Sequence, residues 1–144
     1  MDGRRRPDAL QCELICIPPE CVHLVWPRVA ELIEAAMRRG DLSSFAAVAA
    51  AVSAGRAQLW VATEGPDGIA AAAVTELHQP QRRKYCVIVA CGGDDMSRWL
   101  HLLAPIEDWA RAEGCDAMRI MGRKGWARVL PDYKVNRIVL EKEI

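Results

Sequence analysis

The run Lys84-Tyr85-Cys86-Val87-Ile88-Val89-Ala90-Cys91, followed at once by Gly92-Gly93, constrains the fold more than any other stretch of the chain. Apolar character this continuous suits a strand covered on both faces, as at the centre of a sheet with helices on either side. Two further apolar runs precede it. Gln58 to Thr63 and Ile69 to Leu77 flank Glu64-Gly65-Pro66-Asp67-Gly68 and read as a hairpin, and Gln79-Pro80-Gln81-Arg82-Arg83 is a second polar turn leading into the central strand. Gly92-Gly93 is expected to break that strand.

Helical periodicity brackets these strands. From Glu20 to Arg39 apolar residues recur at Val22, Val25, Trp26, Val29, Leu32, Ile33, Ala36 and Met37, the three- and four-residue spacing of a helix with one buried face. Pro27 either kinks this helix or opens its main part. Ser43 or Ser44 can cap a second helix carrying Phe45, Val48 and Val52, with Gly55 placed to close it. After Gly93, a cap at Asp94, Asp95 or Ser97 would start a helix presenting Trp99, Leu102, Leu103, Ile106, Trp109 and Ala110, bent at Pro105 and ended by Gly114. A first strand over Cys12 to Ile17, a short strand Met118 to Met121, a helical piece Gly125 to Leu130 and a last alternating strand Val135 to Ile144 complete the chain.

At 144 residues, 51% hydrophobic and 26% charged, the chain is expected to form one packed domain over 1–144, with 1–11 a flexible tail. Nineteen basic and nineteen acidic residues leave no net field to draw it to nucleic acid or an anionic membrane. Arg4-Arg5-Arg6 is followed by an apolar run too short for an export signal, and no window is long enough to span a bilayer, so a cytoplasmic protein with six free thiols is expected. Cys12, Cys16, Cys21 and His23 lack a Cys-x-x-Cys knuckle, so no metal site is expected there. Five tryptophans leave room for a homodimer.

The reading is thus an α/β (α+β) domain, β-α-α-β-β-β-α-β-α-β, and that element order resembles the GNAT N-acetyltransferase superfamily. More specific are Ile106-Glu107-Asp108-Trp109-Ala110-Arg111-Ala112-Glu113-Gly114-Cys115, like the family's cofactor-bearing helix, and Gly122 to Tyr133, which looks like the closing helix and turn of bacteriophage- and prophage-encoded members. The resemblance implies a mixed, mostly antiparallel central sheet flanked by helices, and acetyl-CoA or another acyl-CoA as donor. Its pantetheine arm would pair with the fourth strand, so that Val89, Ala90, Cys91, Gly92 and Gly93, with Met96, Ser97 and Arg98 at the next helix start, would hold the cofactor.

Where the family places a basic, glycine-spaced phosphate loop, this chain has Gly92-Gly93-Asp94-Asp95. Two glycines permit close backbone approach, whereas two carboxylates oppose a diphosphate. Arg98, Arg123 and Lys124 would compensate if they face the loop. The fourth strand offers no carboxylate base, which leaves Glu76 and His78 at the end of the third as catalytic candidates. The family's catalytic tyrosine position corresponds to about Val129, and Tyr133 reads as a packing residue. Trp26 and Trp60 are candidates for the acceptor groove, and Cys91 reads as a small core residue rather than a nucleophile.

Two functions follow. The first is acyl-CoA-dependent N-acyl transfer to a small-molecule or protein amine, with an atypical phosphate loop. The second is a GNAT-fold binding or structural module that lacks the cofactor and serves a phage or prophage assembly, in the host cytoplasm or the virion.

Overall fold

The computed structural model describes residues 12–40, 44–121, 125–136 and 140–144. The tail expected over 1–11, the alternative cap Ser43, and Arg123 and Lys124 lie outside the described residues. Five strands, β1 (Glu13–Ile17), β2 (Gln58–Glu64), β3 (Gly68–His78), β4 (Tyr85–Gly93) and β5 (Ala117–Ile120), form one sheet in the order β1-β2-β3-β4-β5. The first four pair antiparallel in succession, and β5 pairs parallel to β4. A parallel pair needs a crossover, and α3 (Leu103–Ala112) supplies it. Helices α1 (Val22–Gly40) and α2 (Phe45–Ser53) lie on one face of the sheet, α3 on the other, and α4 (Gly125–Val129) follows β5. The mixed, mostly antiparallel sheet expected from the sequence is present.

Each face has its own core. Val22, Val29, Ile33 and Met37 form the buried stripe of α1 and pack with Val48 and Val52 of α2 onto Leu59, Val61, Val74 and Ala90. Helix α1 runs through Pro27, whose ring is on the exposed side, where water can solvate the carbonyl one turn back that loses its amide partner. The Ser44 hydroxyl caps α2 by accepting from the Ala47 amide at 3.3 Å. On the other face Trp60, Cys86, Ile106 and Ala110 form one cluster and Cys12, Ala62, Ala71, Trp99 and Leu102 another. Among the described residues no helix is long and apolar enough to cross a membrane.

Four expectations are corrected. Gly92 and Gly93 do not break β4. They extend it, opposite Ala72 and Ala71 of β3. The reason is steric. A Cβ on Gly92 would stand 2.8 Å from the Leu32 carbonyl oxygen of α1, and one on Gly93 would stand 2.4 Å from the Ala70 oxygen and 2.5 Å from the Ala71 Cβ. Asp94, Asp95 and Ser97 make no side-chain cap: two short 3-10 turns, Met96–Arg98 and Leu100–Leu102, lead into α3. Pro105 therefore falls in the first turn of α3, where its missing amide breaks no helical bond. Finally, the last strand expected over Val135 to Ile144 does not form at 135–136 or 140–144, where Val135 and Leu140 are exposed, while 137–139 lie outside the described residues.

The close approach at β4 yields a stability prediction. Gly93→Ala should destabilise the protein by about 1–3 kcal/mol, the range for overpacking, because the atoms in the way are backbone and Cβ rather than flexible side-chain ends. Gly125→Ala, where a Cβ meets nothing within 4 Å, should change stability little. Urea denaturation of the two variants beside wild type provides the comparison.

Candidate functional site

The sheet opens between β4 and β5. β3 pairs with β4 along its whole length, from Tyr85 to Gly93, but β5 pairs only with Tyr85 to Ile88. The last contact is the Met121 amide donating to the Ile88 carbonyl at 3.3 Å. Beyond it, among the described residues, the outer edge of Val89 to Gly93 faces no strand. The register explains the parting. Val74 pairs with Ala90 and Thr75 with Ile88, so Val89 is an extra residue, a bulge that bends and twists the strand. Val89 and Ala90 consequently both pack toward α1 and α2, while Cys91 returns to the α3 face. An edge of unpaired backbone amides and carbonyls beside a cleft can take an extended, amide-bearing chain by strand addition.

The turn after β4 is built differently from a phosphate cradle. The Asp94 amide donates to the Ala70 carbonyl at 3.1 Å, and the Trp99 indole donates to the Asp94 carbonyl at 3.1 Å. Asp95 takes the left-handed conformation (φ 50°), with the Ser97 hydroxyl donating to its carboxylate at 2.6 Å. The amides of Arg98, Trp99 and Leu102 donate to Asp95, Met96 and Trp99 at 2.9, 3.1 and 2.9 Å. Four backbone donors of this stretch, at Asp94, Arg98, Trp99 and Leu102, are thus engaged within the protein. Arg98 does not face the cleft as a free cation: its guanidinium pairs with Glu64 at the end of β2, and its Nε is buried without a hydrogen-bond partner among the described residues. Glu64 was not singled out by sequence, because this contact spans 34 residues and no local pattern announces it.

Glu76 and His78 form a hydrogen-bonded pair, Oε1 to Nε2 at 2.8 Å. Both share a sheet face with Val74, and so with α1 and α2, and lie opposite Val87 and Tyr85 of β4. His78 is exposed and Glu76 partly so. Trp26 stacks on Phe45 at 5.9 Å, joining the two helices on this side. Trp60, the other candidate for the acceptor groove, is on the opposite face of the sheet from α1 and α2. It is 5% exposed, donates to the Thr75 hydroxyl at 2.9 Å and packs edge-on against Trp109 at 5.2 Å. The spacing of Gln58 to Thr63 gives alternation without saying which face is which. Arg119 is a charged residue inside the short apolar strand β5, and its guanidinium lies 3.6 Å from the centre of the Tyr85 ring. Its position within Met118-Arg119-Ile120-Met121 was the available signal for it.

Other candidate chemistry is closed off by burial. The Tyr133 hydroxyl donates to Glu107 of α3 at 2.6 Å, and burial followed by that carboxylate pushes its pKa up. It acts as a tie between the C-terminal segment and α3. All six cysteines are free thiols. Cys91 projects toward a small apolar cavity lined by Trp60, Trp99 and Ile106, and burial pushes its thiol up to about 12. Burial, and then the neighbouring Cys115, pushes Cys86 up to about 11. A thiol held protonated is a poor nucleophile.

No protein-family model matches the chain, and no curated protein matches it in sequence. Solved structures do match in shape. An aminoglycoside acetyltransferase from an uncultured soil metagenomic sample, in complex with sisomicin, aligns over 92% of this chain and 96% of its own with a TM-score of 0.67 and 10% identity. A Trypanosoma brucei acetyltransferase aligns over 93% and 100%, with a TM-score of 0.64 and 14% identity. A predicted acetyltransferase from Clostridium acetobutylicum, with acetyl-CoA, aligns over 93% and 96%, with a TM-score of 0.62 and 11% identity. At these identities the likeness is one of fold, and the fold is that of solved acetyltransferases.

The buried thiols make stability depend on pH. Cys86 and Cys91 hold their protons more tightly when folded than at the ordinary value of 9.0, so their contribution is complete below about pH 9 and is lost as pH rises toward 11 and 12. Urea midpoints should fall between pH 8.5 and about 10.5. The double variant Cys86→Ala with Cys91→Ala should show a flatter decline than wild type.

Proposed function

We propose that the protein transfers an acyl group from a thioester to an amine, with the thioester arm laid along the open edge of β4 from Val89 to Gly93. The observation that carries this reading is that, among the described residues, β5 pairs with β4 only as far as Ile88, just before the bulge at Val89. Likeness of fold to acetyltransferases, one of them with acetyl-CoA, supports the class of chemistry.

A bound acyl thioester supplies the electrophilic carbonyl and, as the C–N bond replaces the C–S bond, the leaving thiolate. The chain's own contribution is placement and proton handling. The His78 imidazole accepts the proton that the amine loses, and Glu76, 2.8 Å away, orients the ring and stabilises the imidazolium. Glu76 lies opposite Val87, two residues from the bulge, and His78 opposite Tyr85, four residues from it, both on the face that α1 and α2 border.

The two halves of an acyl-CoA fit unequally. An amide-bearing pantetheine arm suits the β4 edge. A diphosphate does not suit the turn after it, where Asp94 and Asp95 supply negative charge, several amides are internally bonded and Arg98 is held by Glu64. Met96, Ser97 and Arg98 hold a phosphate only if Arg98 leaves that ion pair. The same turn favours a second reading, a binding or structural module of this fold without the cofactor.

Melting with and without acetyl-CoA separates the two. At one hundred times its dissociation constant, a ligand of the folded state adds about 2.7 kcal/mol, and an upward shift in Tm is the expected result. No shift at millimolar acetyl-CoA overturns the transferase reading for this donor. Asp94→Asn with Asp95→Asn, and separately Glu64→Gln, should each tighten acetyl-CoA binding, the first by removing repulsion and the second by freeing Arg98.

A further inference from the structure

Resting on the acyl-transfer reading, we propose that the acceptor is an amine that also carries a carboxylate, such as a free α-amino acid, with the carboxylate held by Arg119 and Arg83 and the amine directed toward His78. The juxtaposition that carries this is a basic pair and an acid–base pair on one sheet face, on either side of β4.

Glu76, Val87 and Arg119 are paired in register across β3, β4 and β5, and His78 and Tyr85 are paired two residues further along. Residues opposite one another, and those two apart on a strand, share a face, so all five project to the same side. Strands lie about 4.8 Å apart, which puts the Glu76 and Arg119 backbones roughly 10 Å from each other. Val87, between them, is covered on this face, so a ligand lies outside it, over the Tyr85 ring between the two guanidinium groups and His78.

Tyr85 organises the basic side. The Arg119 Cζ lies 3.6 Å from its ring centre and the Arg83 Cζ 5.3 Å. A guanidinium over an aromatic face is fixed by the ring, while the donors on its rim remain available for a planar, two-oxygen acceptor. Among the described residues neither guanidinium has a carboxylate within ion-pair distance, and Glu76 on the far side is already engaged with His78. Placing a charge inside the four-residue strand β5 is costly unless something answers it. Arg119 also turns its guanidinium back over Tyr85, which is paired with His78, so an anion held there sits beside the Tyr85–His78 pair. The polarity is thus fixed: carboxylate on the β5 side, amine on the β3 side beside the base.

The test uses the twenty L-amino acids and their carboxamides, with two separate readouts. The first is direct binding without donor, by saturation-transfer NMR. The second is thiol release from acetyl-CoA. Expected are binding of acids over amides and, in Arg119→Gln, a KM for the accepted acid raised about tenfold or more, as for loss of a charge-assisted contact. Arg119→Lys, which keeps the charge and loses the fork, should fall between. Equal Tm values for the variants show that the fold is intact. Acid-selective binding that Arg119→Gln abolishes, without thiol release, supports the carboxylate site and overturns acyl transfer from acetyl-CoA. Thiol release with amides as good as acids, indifferent to Arg119→Gln, overturns the carboxylate site and leaves transfer standing. Neither binding nor release overturns both.

Discussion

The thinness of the β3–β4 pair governs the rest of the molecule. Alanines at 70 to 73 and glycines at 92 and 93 give the middle of the sheet almost no side-chain depth. The backbone of α1 therefore comes down to within van der Waals contact of Gly92, and on the other face Trp60 and Trp99 fill the room the alanines leave. Close packing rewards this exchange of small for large across a layer. It also makes the centre of the sheet close-packed beside the bulge at which β4 bends.

Close packing at the centre contrasts with the turn beyond it. There several backbone amides are bonded within 3-10 turns, an aspartate occupies a left-handed position and Arg98 is bound to the hairpin end. A cradle for a multiply charged anion needs unspent donors and positive potential, and this turn engages part of the one and opposes the other. For the proposed acyl-CoA donor, the strand edge and the turn thus differ in fit.

The extent to which the sequence disclosed this can be traced residue by residue. Periodicity located α1, α2, the β2–β3 hairpin and β4, since each buries a face whose spacing is local. The acidic turn was also visible, as a plain departure in residue type. Gly92-Gly93 was ambiguous, because a glycine pair serves equally for a break and for a close approach, and only the position of α1 decides between them. The bulge at Val89 is a property of register between two strands and leaves no mark in one of them. Trp60 shows the same limit: alternation assigns it to a face, but the helices that cover each face are known only in three dimensions. For Val135 to Ile144 the alternation is a local property, whereas a strand needs a partner edge, and the described residues 135–136 and 140–144 form no strand.

Strand order in the sheet follows strand order in the chain, and this bears on how the molecule assembles. Each of the first four strands meets a neighbour close by in sequence, apart from the helical excursion between β1 and β2. Short closures of this kind are kinetically cheap, whereas a parallel crossover must close a longer loop before any contact rewards it. The opening beside β4 is therefore bounded on one side by a hairpin-linked meander and on the other by a pairing between residues 32 apart, Tyr85 with Ala117 and Ile88 with Ile120. A cleft of that construction has one wall set by local folding and the other by the arrival of β5.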